Sequence, residues 1–169
     1  MTDQDRVIDI ACGPGKHSLM LASNFLKKGG VLVSCDFSKE MVKKLAHNYT
    51  GTDADYMHVE GNKFVSELET VFTELDETKT KLKHTCDLEA VVESQKPFRK
   101  LAYGCQANNE MMPFADGTFG AYIASLSLML VNNPKNQIKE AYRILKNNSV
   151  ATFTVWGRRE QCVMFTVMD

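Results

Sequence analysis

No stretch of this 169-residue chain approaches the roughly 20 consecutive apolar residues that span a bilayer. The N-terminus also lacks the charged, then apolar, then small-residue order of a secretory signal. Charge of one sign is missing too, since 20 basic and 21 acidic side chains leave a net charge of -1. No global field therefore steers the protein toward nucleic acid or an anionic membrane surface. The five cysteines, at positions 12, 35, 86, 105 and 162, form no C-x-x-C pair and no metal-ligand spacing. His47, His58 and His84 have no companion at ligand spacing either, so no metal is expected. Cys12, Cys35 and Cys105 fall in or beside apolar, strand-like runs, where a free thiol packs as a small hydrophobe. Reduced thiols and a cytoplasmic location are the expectation. What remains is an ordinary composition, 44% apolar and 24% charged, and enough chain for one domain with its own core.

The most informative stretch runs from Val7 to Ser18. Val7-Ile8-Asp9-Ile10 reads as a buried strand, and Gly13-Pro14-Gly15 as a turn. The apolar positions 19, 22, 25 and 26 then recur at helical spacing. Strand, glycine turn and helix together build a ligand crevice at the carboxyl end of the first strand of a doubly wound sheet. Glycine suits the turn because a Cβ would block both the tight bend and the close approach of a ligand. The fit to the dinucleotide pattern G-x-G-x-x-G is poor, with Ser18 where the third glycine would fall. A tight turn without a ligand is the alternative at this point.

The first helix is expected to end at Lys27-Lys28-Gly29-Gly30, followed by a second strand, Val31–Asp36, that finishes in an acid. The resulting βαβ unit puts Asp36 on the same sheet edge as the glycine loop. An acid about 20 residues past the glycines accepts from both ribose hydroxyls in dinucleotide folds. Asp36 stands 21 residues past Gly15. A helix-capping acid is the other reading, and an NAD enzyme would use the same device. Ser38 is the expected N-cap of a helix over 39–49, with Met41, Leu45 and Ala46 inward. Residues 50–55 read as a turn. From about 57 to 100, the spacing of Phe64, Leu68, Val71, Phe72 and Leu75 predicts an amphipathic helix, and a weaker pattern through Leu88, Val91 and Val92 ends at Pro97. These helices are read as an insertion beside the sheet, serving substrate access, a partner, or packing alone. A third strand at Leu101–Gln106 follows, then a fourth over 122–131, nearly continuously apolar and so expected to be buried on both faces. A helix from Asn133-Pro134 through Ile138, Ala141, Tyr142 and Leu145 leads to a fifth strand over 150–156.

Asp9-x-Ala11-Cys12-Gly13-x-Gly15 resembles the first motif of the class I S-adenosylmethionine-dependent methyltransferases, Asp-x-Gly-Cys-Gly-x-Gly. Ala11 departs from it mildly, as the next smallest residue. Asp36-Phe37-Ser38-Lys39-Glu40-Met41 is similar to the family's Asp-x-Ser-x-x-Met. The stretch from Ala107 through Pro113-Phe114 to Phe119-Gly120 resembles Gly-Asp-Ala-Glu-x-Leu-Pro-Phe-x-Asp-x-Ser-Phe-Asp, with Gly120 in place of the last Asp. That match sets Asn108 at the acid that contacts the adenine amino group, and Asn109 where a backbone N–H reaches the ring. The Asn108 amide oxygen still accepts from an amine, without charge assistance; a polar turn is the other reading of the pair. Glu140 to Lys146 matches Glu-Ala-x-Arg-Val-Leu-Lys, and Asn147-Asn148-Ser149 stands where the family has Pro-Gly-Gly.

The resemblance covers about residues 5–49 and 100–160. It implies an α/β fold in one domain, a doubly wound, mostly parallel Rossmann-like sheet of order 3-2-1-4-5 with a helical insertion before strand 3. The ten residues 160–169 are too few for the family's last hairpin, so the final strands are expected to be missing and strand five to be an open edge. The implied function is methyl transfer from S-adenosyl-L-methionine to a small-molecule acceptor, with S-adenosyl-L-homocysteine as product. The implied cofactor residues are Asp9, Ala11, Cys12, Gly13 and Gly15 at the loop, Asp36 and Phe37 after strand two, Asn108 and Asn109 at the adenine, and Ser125 on strand four. Substrate-facing positions fall at Ser125, Leu126, Ser127 and Leu128. No catalytic base is identified. None is required where alignment on an activated methyl supplies much of the rate. Two rivals stand beside this reading. One is a non-catalytic module that binds the cofactor or a protein partner through the 57–100 helices or the strand-five edge. The other is an NAD-dependent oxidoreductase.

Overall fold

Six strands lie side by side, all parallel, in the computed structural model, which describes residues 6–27, 30–49, 55–59, 100–158 and 160. β1 (Arg6–Ile10) is flanked by β2 (Val31–Asp36) on one side and β5 (Phe119–Ser125) on the other. β4 (Leu101–Gln106) pairs with β2, and β6 (Leu145–Thr154) with β5. These five are the expected strands one to five in the expected order 3-2-1-4-5. Parallel neighbours need crossovers. α1 (Lys16–Asn24) and α2 (Lys39–Asn48) follow β1 and β2, and α3 (Pro134–Ile144) joins β5 to β6.

β1 and β2 are buried almost end to end, because each strand is covered on both faces. Alternation sorts their side chains into two cores. Ile8, Ile10, Val33, Cys35, Tyr103 and Tyr122 pack with Ala141 and Ile144 of α3. Val7, Leu32 and Ala102 pack with Ala22 of α1, Leu26 just beyond it and Leu45 of α2. Cys35 and Cys105 are register partners on adjacent strands, buried as free thiols with their sulfurs 3.1 Å apart. They behave as the small hydrophobes expected of them.

The elements differ from the sequence reading in several places, and β5 begins at Phe119, three residues before the expected start. A sixth strand, β3 (Asp55–Val59), pairs with β4 at the sheet edge where a turn and the start of the insertion were expected. Its Tyr-Met-His-Val sequence suits an edge strand but is too short to show a period. The rest of the 57–100 insertion lies outside the described residues. β5 stops at Ser125, because Leu126 takes φ 54° and Leu130 N donates back to the Ser127 carbonyl, so the apolar run over 126–131 is turn rather than strand. The buried stripe of α3 is Gln137, Ala141 and Ile144; Ile138 and Tyr142 are exposed. α1 ends at Asn24 and leaves Phe25 exposed. β6 begins five residues early, running through Asn147-Asn148 with a register irregularity opposite Phe119 to Ala121. Asn148 takes the left-handed conformation that the family's glycine would take.

Candidate active site

Three residues after β1 have positive φ, and they set the shape of the loop: Ala11 at 53°, Gly13 at 57° and Gly15 at 87°. Gly15 N-caps α1, and a Cβ there would overlap Cδ1 of Leu45 on α2. Gly13 has nothing within 4 Å of where a Cβ would sit, so its loop edge faces open space. Ala11 is a more costly departure than its size suggests. A side chain in the left-handed region costs roughly 1–2 kcal/mol, which glycine avoids. The loop is pinned by Cys12 N to the Cys35 carbonyl (3.0 Å), and by Asn48 Nδ2 to the Pro14 carbonyl (2.8 Å).

Two carboxylates hold this loop from either side. Asp9 is fully buried; its Oδ2 accepts from Ser18 Oγ at 2.6 Å, and its Oδ1 has no partner among the described residues. Burial pushes the Asp9 carboxyl up, the Ser18 bond and His17 oppose the rise, and Asp36 adds to it. Ser18 occupies the missing third-glycine position because it supplies this hydroxyl. Asp36 accepts from Gly13 N through Oδ2 and from Ser38 N through Oδ1, both at 2.8 Å. Cys12 is half-buried, with its thiol pushed up by burial and by the same two acids, which disfavours a reactive thiolate.

The segment after β4 adjoins Asp36. Ala107 N donates to the Asp36 carbonyl (3.0 Å), and Gln106 Nε2 to the carbonyl of Phe37, whose ring is exposed. Asn108 Oδ1 already accepts from Glu110 N at 2.9 Å in a local turn. Asn109 is buried, and its Oδ1 has no partner among the described residues. Both asparagines belong to this polar turn, which Met111 N closes on the Asn108 carbonyl (3.0 Å) with Asn109 and Glu110 at its centre.

Sequence reasoning matched Glu140 and Arg143 to a motif without seeing their task. All five Arg143 N–H groups find acceptors: Glu140 Oε1 and Oε2, Asp116 Oδ1, and the carbonyls of Met112 and Phe114, at 2.6–3.0 Å. Glu140 Oε2 also accepts from Met112 N at 2.7 Å. The pair thus grips Met112 by both its N–H and its C=O, fixing the segment that carries Asn108 and Asn109. The Arg143 hydrogen bonds hold the Glu140 carboxyl below the usual glutamate range. The i,i+3 spacing of opposite charges on a helix was the available signal.

Across β1, Ser125 Oγ lies 2.9 Å from Thr154 Oγ1, and Leu126 N donates to both the carbonyl (2.9 Å) and the hydroxyl (3.1 Å) of Thr154. Ser127, expected to face a substrate, turns instead into the core, where Gln137 Nε2 donates to it at 2.7 Å and to Tyr122 OH at 3.2 Å. Burial pushes the Tyr122 phenol up to about 12. The fold therefore gathers Asp9, Ala11, Cys12, Gly13, Gly15, Asp36 and Phe37 at neighbouring strand ends, with Asn108 and Asn109 beside them. Ser125 stands on the far side of β1. No group of three metal-ligating side chains occurs among the described residues. No helix there is long and apolar enough to cross a membrane.

A model of the methyltransferase-domain family matches residues 78–153, of which 78–99 lie outside the described residues. No curated protein matches the chain. Solved structures do. An S-adenosylmethionine-dependent methyltransferase from Methanosarcina mazei is 22% identical with a TM-score of 0.59, the match covering 99% of this chain and 59% of that one. A protein from Bacillus halodurans, described as a methyltransferase, is 18% identical with a TM-score of 0.57, over 99% of this chain and 51% of that one. A Haloferax volcanii protein solved with the Trm112 methyltransferase activator is 17% identical with a TM-score of 0.55, over 92% and 46%. The chain spans about half the length of the structures it matches. The family match covers part of the chain, and the sheet of the described residues has the fold that the resemblance implied.

Proposed function

On the premise that this chain carries the class I methyltransferase fold, we propose that it binds S-adenosylmethionine at the β1–β2–β4 strand ends and transfers its methyl group to a small-molecule acceptor. One observation carries the choice of cofactor. Asp36 already occupies the Gly13 N–H that a dinucleotide's diphosphate would need. With Asp9 buried beneath the same loop, the site repels a diphosphate and favours a ligand bearing positive charge. S-adenosylmethionine fits, having an ammonium and a sulfonium, and it supplies an activated methyl when bound.

The chain's residues divide the work. The open edge at Gly13 admits the amino-acid end, and Asp9 offers its unpartnered oxygen toward a donor there, directly or through water. Asp36 keeps lone pairs for the ribose hydroxyls after serving two backbone N–H groups. Ala11, Cys12 and Gly15 shape the loop, and Phe37 lends an exposed ring to the nucleoside. Asn109, through its orphaned amide oxygen, is better placed than Asn108 to accept the adenine amine. Ser125 belongs to the acceptor side. The free thiols of Cys12, Cys35 and Cys105 support a reducing, cytoplasmic setting.

A second reading, a module that binds a protein partner, is favoured by β6. Among the described residues it pairs only with β5, and Val150, Val155 and Trp156 at and beyond it are exposed. Calorimetric titration with S-adenosylhomocysteine, with NADH as comparison, tests the main reading. Micromolar binding of the first alone is expected; binding of NADH alone would overturn it.

A further inference from the structure

The two sides of the crevice differ in charge. From Ser125 to Pro134, the chain that leaves β5 contains no Asp, Glu, Lys, Arg or His. Leu126, Met129 and Leu130 stand exposed there, at 37%, 38% and 76%. They follow the strand beside β1, where the strand order reverses and a doubly wound sheet opens its crevice.

The apolar surface is held in place. Leu126 adopts φ 54°, a conformation that a branched side chain takes only when its surroundings enforce it. Thr154 enforces it, receiving Leu126 N on both its carbonyl and its hydroxyl. Further along, Ser127 is anchored by Gln137, and Asn132 N donates to Glu110 Oε1 at 2.9 Å on the opposite rim. A strained backbone with three separate tethers is more than an incidental apolar turn requires.

The hydroxyls of Ser125 and Thr154 add the polar element. Between them they carry two O–H hydrogens, and the bond joining them uses one. One hydrogen is left to donate, to the lone pair of an oxygen or nitrogen. A carboxylate or an ammonium seated against Leu126 and Met129 would lose its water and meet no charge in the 125–134 segment, the neighbouring Glu110 carboxylate being already committed to Asn132 N.

Resting on the methyltransferase reading above, we propose that the acceptor is an uncharged small molecule with an apolar body. That body lies against Leu126, Met129 and Leu130, and its heteroatom meets the Ser125–Thr154 hydroxyl pair. Specificity is then set by this loop and not by an ion pair.

The test uses three probes of one shape: 1-naphthol, 1-naphthoate and 1-naphthylmethylammonium. Their affinities are measured by fluorescence titration at pH 7, with and without saturating S-adenosylhomocysteine. Naphthol is expected to bind at least tenfold more tightly than either charged relative. Leu130→Asp, at an exposed position that tolerates the change, should weaken naphthol at least fivefold while leaving S-adenosylhomocysteine affinity unaltered. Equal or tighter binding of a charged probe, no binding of naphthol, or indifference to Leu130→Asp would each overturn the proposal. Failure of S-adenosylhomocysteine itself to bind would instead bring down the cofactor reading on which the proposal rests.

Discussion

The carboxyl edge of the sheet has two unlike halves on either side of β1. Toward β2 and β4 the polar groups are tied to backbone: Asp36 to Gly13 and Ser38, Glu140 and Arg143 to Met112 and Phe114. Toward β5 and β6 the exposed groups are largely apolar side chains on a turn. A surface built from backbone N–H and C=O groups keeps its shape when side chains change, so it suits a ligand that never varies. A surface built from Leu and Met side chains is rewritten by single substitutions. The first half is a fixed socket and the second an adjustable one.

The contrast breaks if the socket tolerates change. The largest effect is expected at Gly15→Ala, which combines an overlap on Leu45 with a left-handed backbone. Chemical denaturation should show a loss of about 2–4 kcal/mol. A loss below about 1 kcal/mol would mean that α1 and α2 move apart freely and that the socket is not rigid. Asp36→Ala leaves Gly13 N and Ser38 N without their acceptor. S-adenosylhomocysteine affinity should fall by about 1.5–3 kcal/mol by calorimetry, and an unchanged value would remove Asp36 from the site.

Smaller effects sharpen the comparison. The Glu140 carboxyl lies below its ordinary range in the folded state, so its contribution is complete above that range and fades as pH falls through the lowered native value. Between pH 5 and pH 3 the thermal midpoint of the wild-type protein should drop further than that of Glu140→Gln. At neutral pH the variant should be less stable by about 1 kcal/mol. Parallel pH curves would show that the clamp contributes nothing. Ala11→Gly relieves a positive φ at the cost of a more flexible unfolded chain, and should stabilise by a few tenths to about 1 kcal/mol.

The socket was more legible in the sequence than the rest. Its glycines, its two acids and the Ser38 cap are local signals, and each names its own geometry. Ser18 showed that something differed from the dinucleotide pattern, but its bond to Asp9 needed the helix to be built. Asn108 and Asn109 were found as a pair, while which amide turns inward depends on a local hydrogen bond that spacing does not reveal. On the other half, an apolar run was read as buried strand to residue 131, yet the strand ends at Ser125. Apolar composition does not distinguish a core from an exposed binding rim. Gln137 hid the buried stripe of α3 for the opposite reason, being polar yet fully enclosed by Tyr122 and Ser127.

The central pairing of the sheet has a consequence for how the protein is made. β1 is synthesised before every other described strand, but its neighbour on one side is β5, with Val7 opposite Ala121. Until that segment has left the ribosome, β1 can pair only toward β2, and the face that Ile8 and Ile10 share with Tyr122 and Ile144 stays uncovered. Closing so long a loop is slow compared with forming the β1–α1–β2 unit. The nascent chain therefore forms the glycine loop and Asp36 well before the other wall exists, whereas the clamp on Met112 waits for Glu140 and Arg143.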